Sequence, residues 1–249
     1  MKYLLFTFSI ISLINHSIQA QTKPVKWLIK PTHEYIEPFS EGRAGVRQGV
    51  KWGFIDNTGK LIIPYKYKGS YYFRGGFVAV KKEKKWGFID KNGTLISPFV
   101  YDKVWNFSEG MASVKKNDKY GFIDKTGKLV IPCQYADADS FSEGRAKVRI
   151  DRYYGFIDKK GKLVIPYQYE RSWGFKEGLA GVEKNDKYGF VDKTGKVVIP
   201  YQYNSGFYFS DGMCMVRKND QYGFIDKTGK IVVWLKPNHL KTLQIRKEL

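Results

Sequence analysis

The chain has 249 residues, 43% of them hydrophobic and 16% aromatic, which excludes a disordered polymer. Its formal net charge of +19 fits either polyanionic partners or a heavily solvated surface. Two cysteines are too few for a disulfide-stapled fold, and three histidines with no His-x-x-x-His or Cys-x-x-Cys spacing leave no zinc motif.

Residues 1–20 read as a secretory signal peptide. Met1-Lys2 is a short basic start, Tyr3 to Ile14 is mostly apolar, and Ser17-Ile18-Gln19-Ala20 offers a cut at Ala20/Gln21. The apolar stretch is too short for a convincing membrane span, and no cysteine follows it to take a lipid. Cleavage takes only Lys2 from the charge excess. No later stretch reaches 18 uninterrupted apolar residues, so the mature chain is expected to have no transmembrane segment and to be exported, to the periplasm or beyond.

Residues 21–39 form an irregular N-terminal cap, ending where Phe39-Ser40-Glu41-Gly42 anticipates Phe107-Ser108-Glu109-Gly110. A strict repeat follows. Gly53, Gly87, Gly121, Gly155, Gly189 and Gly223 recur every 34 residues with no insertion, which marks a repeat architecture. Six units are expected at 40–67, 74–101, 108–135, 142–169, 176–203 and 210–234. The first strand of each carries one fixed valine (Val46, Val80, Val114, Val148, Val182, Val216). A polar turn such as Lys116-Asn117-Asp118-Lys119 leads to a second strand of the form aromatic-Gly-Phe-Ile-Asp. In the next turn, Asp-Lys-Thr-Gly, the Asp bonds backbone N–H groups and the Gly takes a left-handed conformation. The third strand, Lys-Leu-Val-Ile, usually ends at Pro (Pro64, Pro98, Pro132, Pro166, Pro200).

The second and third strands are apolar on both faces: Trp52 and Phe54 oppose Ile55, and Leu61 and Ile63 oppose Ile62. A strand apolar on both sides is covered on both sides. The expected fold is therefore all-β, with six 34-residue three-stranded antiparallel units stacked face to face as an open β-superhelix or solenoid. The alternative is a six-bladed propeller-like ring. Propeller blades usually have four strands and about 40 residues, which favours the open stack. Cys133 takes the place of Tyr65 and Tyr167, and Cys214 that of Ala44 and Ala112, several units apart, so both are expected as free core residues. In the last unit Trp234 replaces the Pro. Residues 235–249 read as a C-terminal cap, with Asn238 N-capping a short helix that turns Leu240 and Leu243 inward.

Trp52-Gly53-Phe54-Ile55-Asp56 and Trp86-Gly87-Phe88-Ile89-Asp90 carry the Trp-Gly pair of the bacterial WG repeat family, and the Gly-Lys-Leu-Val-Ile-Pro and Phe-Ser-Glu-Gly-x-Ala-x-Val segments match it too. The chain resembles that family over about residues 39–234. Four units put Tyr in place of Trp (Tyr120, Tyr154, Tyr188, Tyr222), a conservative aromatic exchange. The resemblance implies a β-stranded repeat module and no known activity.

No Gly-x-Ser-x-Gly elbow or phosphate loop is present, and the repeated Asp and Glu fit turn capping better than acid–base work, since a catalytic residue is needed once rather than in every unit. No enzyme, cofactor or metal is expected. The informative stretch is the connector between units, whose fourth residue is aromatic in four of five copies: Tyr71, Trp105, Trp173 and Phe207. These are the candidate ligand-binding residues, a row of platforms for sugar rings or bases flanked by basic groups. The competing reading packs the same rings on their neighbours as a spine. The expected function is a secreted, non-enzymatic interaction module for an anionic polymer or glycan, with nucleic acid disfavoured by export. The alternative is a structural scaffold with a protein partner.

Overall fold

The computed structural model describes residues 33–235. The signal peptide at 1–20, most of the N-terminal cap and the helix expected in the tail lie outside the described residues. Within them all regular structure is β, in six four-stranded antiparallel sheets that follow one another along the chain.

The third sheet shows the plan. Its long strands are Met111–Lys116, Lys119–Asp124 and Leu129–Tyr135. Asn117 and Asp118 join the first two, both left-handed at φ 49° and 60°, the backbone that a two-residue type I′ hairpin turn needs. That turn puts Val114 opposite Gly121. The next turn closes as expected: Asp124 Oδ1 accepts the Thr126 N–H at 2.8 Å, the Thr126 hydroxyl at 2.6 Å and the Lys128 N–H at 3.1 Å. Gly127 sits there at φ +82°, and its N–H donates to Asp124 O at 3.0 Å.

The unit is larger than the expected three strands. The connector supplies a fourth, two residues long: Lys103–Val104 pairs with the first strand, Val104 opposite Val114. Flanking bonds extend it, from Asp102 N to Lys115 O at 2.8 Å and from Trp105 N to Ser113 O at 2.9 Å. Backbone pairing is indifferent to side chains, so a stretch of variable sequence still serves the strand edge that needs a partner.

In the first five units the Gly of the Trp-Gly or Tyr-Gly pair sits where the second and third strands shift register, between Tyr120 and Phe122 in this unit. A Cβ on Gly121 would lie 2.5 Å from Ile131 O, so the residue is there for close approach of two backbones. Its φ is not in the left-handed set.

Successive sheets stack through a repeated aromatic contact. Phe122 meets Phe141 edge-to-face at 4.9 Å, and Phe54–Phe73, Phe88–Phe107, Phe156–Phe175 and Phe190–Phe209 repeat it at 4.9 to 5.2 Å. Each interface also buries the third residue of the apolar strand under the glycine turn of the next unit, as Ile199 lies under Gly229. Val233 occupies the same place in the last unit and is 48% exposed, whereas Ile199 is 0% exposed. Among the described residues no further sheet covers this one. The six sheets thus form an open, solenoid-like tandem stack rather than a ring.

Candidate functional site

At four of the five boundaries a unit is tied to the next by one acidic side chain. Glu109 Oε2 accepts the Gly144 N–H at 2.9 Å and meets Lys159 Nζ at 3.3 Å. Glu41 holds Gly76 and Lys91 in the same way, Glu143 holds Gly178 and Lys193, and Glu177 holds Gly212 and Lys227. Burial alone would raise the Glu109 carboxyl, but the Gly144 N–H and Lys159 carry it below its ordinary value. The glutamates and turn lysines are therefore connections between units.

A second set of cations lies on aromatic faces. The first strand presents Arg47, Lys81, Lys115 and Arg149 directly across from the aromatic residue of the Trp-Gly position. Lys81 Nζ lies 5.7 Å from the Trp86 ring, Lys115 Nζ 5.6 Å from Tyr120 and Arg149 5.7 Å from Tyr154. Much of the positive charge thus has a structural post.

The connector face carries what remains. Tyr71, Trp105, Trp173 and Phe207 are each 39% exposed, neither core nor free. The backbones of three are fixed alike where the N–H donates to the middle of the first strand: Tyr71 to Ala79 O, Trp105 to Ser113 O, Trp173 to Gly181 O. Their side chains differ. Trp173 stacks on Phe207 at 6.1 Å between centroids, and its indole N–H donates to Gly206 O at 2.6 Å. Tyr71 lies flat on Trp86 at 4.9 Å, and Trp105 leans on Tyr120 at 5.4 Å. Asp139 occupies the same connector position between Trp105 and Trp173 and pairs with Lys147 at 2.9 Å. It breaks the row, so the structure brings together Trp173 and Phe207 but leaves Tyr71 and Trp105 each on its own unit.

Of the four, Trp105 lines a cleft of about 370 Å³ that includes none of the other three. Tyr72, Arg74, Asn106, Ser108 and Ser140 share its wall, with the buried Phe141 at its floor. Arg74 is exposed and its guanidinium has no ion pair among the described residues. Ser108 is oriented by donating to Phe141 O at 2.8 Å. The combination is a half-exposed indole, a second aromatic half in solvent, a free guanidinium and small hydroxyl or amide groups. Such a surface can cover the apolar face of a sugar ring and bond its rim. The sequence reading did not single out Tyr72 or Arg74. The available signal was Arg74-Gly75, which stands where three other units have Ser-Glu, as in Ser108-Glu109, and the remaining two have Lys176-Glu177 and Ser210-Asp211.

Nucleophilic groups are few and quiet. Cys133 and Cys214 are both free, and burial pushes the Cys214 thiol up to about 11 and raises that of Cys133 as well. Cys214 is core and Cys133 half-buried. No cluster of His, Cys, Asp or Glu able to hold a metal occurs among the described residues.

A family model described as WG containing repeat matches residues 26–52, 52–86, 86–120, 120–153, 154–188, 188–222 and 222–233. No curated protein matches the chain. Among solved structures, one described as the eukaryotic initiation factor is similar at a TM-score of 0.54 and 10% identity, covering 78% of this chain and 63% of that one. The chain thus spans less than two thirds of that structure, and the likeness is one of fold alone. Hsv2p of Kluyveromyces lactis aligns at a TM-score of 0.46 and 9% identity, covering 78% of this chain and 74% of its own. The dihydro-heme d1 dehydrogenase NirN aligns at 0.44 and 16% identity, covering 82% and 56%.

Proposed function

The chain belongs to the WG containing repeat family, and from that premise we propose that it is a non-enzymatic interaction module that presents its connector face to an anionic glycan outside the cytoplasm. The observation that carries this reading is the cleft in which the half-exposed Trp105 and the unpaired Arg74 meet. An aromatic platform beside a guanidinium recognises an acidic sugar by stacking and by charge together. Export rests on Met1 to Ala20, which have the charge, apolar length and small-residue end of a cleaved leader.

The site is small, so affinity for a polymer would come from several units acting along one strand. Basic side chains outside the cleft would speed the approach of a polyanion without choosing it. The test is binding of the protein to acidic and neutral polysaccharides and to DNA, at low and physiological salt. Retention of one acidic polysaccharide at physiological salt supports the reading. Binding to every polyanion that disappears with salt means bulk charge alone. No binding at all favours a scaffold that meets a protein partner.

A further inference from the structure

The stack contains its own template for a carboxylate site. In four interfaces the glutamate accepts the N–H of the residue 35 positions on and meets the lysine 50 positions on: Glu41 with Gly76 and Lys91, Glu109 with Gly144 and Lys159, Glu143 with Gly178 and Lys193, and Glu177 with Gly212 and Lys227. At the interface between the second and third units the glutamate position is Gly75. The matching donors are still present. They are the N–H of Gly110 and the ammonium of Lys125, whose Cε lies 3.9 Å from where a Gly110 Cβ would stand. Neither has a protein partner among the described residues.

The surroundings have kept the shape of the other interfaces. Gly75 is left-handed at φ +68°, close to the 51° to 53° of Glu41, Glu109, Glu143 and Glu177. The space at Gly75 is bounded by Phe107, 3.4 Å from an ideal Cβ. The Glu109 carboxylate does not compete for Lys125, because it is engaged with Gly144 and Lys159 in the next unit. Most telling is the neighbourhood. Gly75 follows Arg74, and Gly110 lies two residues after Ser108, and both Arg74 and Ser108 line the cleft that holds Trp105. The missing carboxylate therefore belongs one residue from Arg74 in the chain, and its backbone donor two residues from Ser108, both in the lining of the Trp105 cleft.

We propose that this site takes the carboxylate of a uronic acid unit, which replaces the absent glutamate at the Gly110 N–H and Lys125 while its ring lies toward Trp105 and Arg74. This rests on the glycan reading above and narrows it to a carboxylated sugar. Charge-assisted N–H contacts from a fixed backbone select a planar carboxylate and give little to a neutral ring.

The test has two arms. In the first, the ¹⁵N-labelled protein is titrated with sodium glucuronate, with matched sodium chloride and methyl β-glucoside as controls. The expected result is a saturable shift of the Glu109 and Gly110 amides with glucuronate only. Gly75→Glu supplies the carboxylate internally and should abolish that response while leaving the melting temperature unchanged or higher. Gly75→Ala, which adds no carboxylate, should keep it, and Lys125→Ala should weaken it by about tenfold. In the second arm the same variants are measured against a polyuronate. Amides that ignore glucuronate, or a Gly75→Glu chain that holds both ligands as well as the parent does, overturn the carboxylate site. In the latter case polysaccharide binding itself would stand. Amides that respond in a chain that holds no polysaccharide would support the site and overturn the polymer reading instead.

Discussion

Glu143 reaches across a repeat boundary to accept the backbone N–H of Gly178 at 2.9 Å, and Lys193 of the same neighbouring unit closes on its carboxylate at 3.0 Å. Glu143 itself is left-handed at φ 53°, a backbone that costs a non-glycine residue energy and is tolerated here because the side chain is held at its far end. The array thus pairs a left-handed glutamate with a contact across the boundary at four of its five boundaries.

Glu143→Ala should therefore destabilise the array. The glutamate and lysine are partly solvated, so the ion pair adds little and the N–H contact most of the effect, for a total of about 1 kcal/mol. For an array of this size that lowers the melting temperature by about 3 °C. Stability in stacked repeats is carried by the interfaces, so the loss should appear as a shift of the whole transition, followed by circular dichroism. An unchanged midpoint would show that water replaces the carboxylate at no cost.

The glycines should separate into two classes. Gly121→Ala places a methyl 2.5 Å from Ile131 O and 2.7 Å from Cys133 N, both backbone atoms that cannot move without breaking the sheet. The expected cost is about 3 kcal/mol. Gly144→Ala meets nothing within 4 Å and bears only the left-handed backbone at φ +79°, about 1 kcal/mol. Urea midpoints of the two variants, measured side by side, test the difference. Equal losses would mean that backbone conformation rather than close approach governs the Trp-Gly position.

Acid should unfold the array through its turns and boundaries. The Thr126 hydroxyl holds the Asp124 carboxyl below its ordinary value of 3.8, and Thr194 and Thr228 do the same for Asp192 and Asp226. Glu177 is lowered from 4.5 chiefly by the Gly212 N–H. A carboxyl lowered in the fold stabilises it above the unfolded value and loses that contribution as pH falls through the folded value. The melting temperature should be flat near neutrality and begin to fall below about pH 4.5. At the other end, burial raises the Cys214 thiol from 9.0 to about 11 and the Tyr167 hydroxyl from 10.0 to about 12. These groups favour the fold below their unfolded values, so stability should decline again as pH rises from 9 toward 12. Melting temperatures across pH 2–12 check both limbs, and Thr126→Val should shrink the acid limb.

Much of this was legible from the 34-residue spacing. Periodicity located the three long strands, and Asp-Lys-Thr-Gly located a turn whose Asp124 does what its chemistry demands. The fourth strand was hidden because it is two residues long, too short for an alternating pattern, and its inward residue changes from Val104 to Ala138, Ser172 and Gly206. The reason for Gly121 was also hidden, since a close approach between strands depends on a register shift that a single strand does not announce. Tyr71, Trp105, Trp173 and Phe207 take the same connector position in four units, but Asp139 holds it in the fifth, and of the four Trp105 lines the cleft described above. The stronger signal lay in a departure from the repeat, Arg74-Gly75 in place of Ser-Glu. Gly75 is informative because the other five units all carry an acidic residue there, Glu41, Glu109, Glu143, Glu177 and Asp211.

Trp105 and Trp173 should accordingly behave differently despite equal exposure. Trp173 is braced by Phe207 and by its indole N–H on Gly206 O, whereas Trp105 touches only Tyr120 among ring partners and opens on the cleft. Trp173→Ala should destabilise the chain by about 1 kcal/mol more than Trp105→Ala, the difference being the lost hydrogen bond and the exposed carbonyl it leaves. Trp173→Phe should recover the stacking and not the hydrogen bond. For binding the order reverses: Trp105→Ala should lower affinity for an acidic polysaccharide by about tenfold or more, the scale of one lost stacking platform, about 1–3 kcal/mol. Thermal melts and isothermal titration on the same two variants decide it. Equal loss of binding would extend the site to the Trp173–Phe207 pair, and a Trp105→Ala chain that binds as the parent does would remove the cleft from the recognition surface.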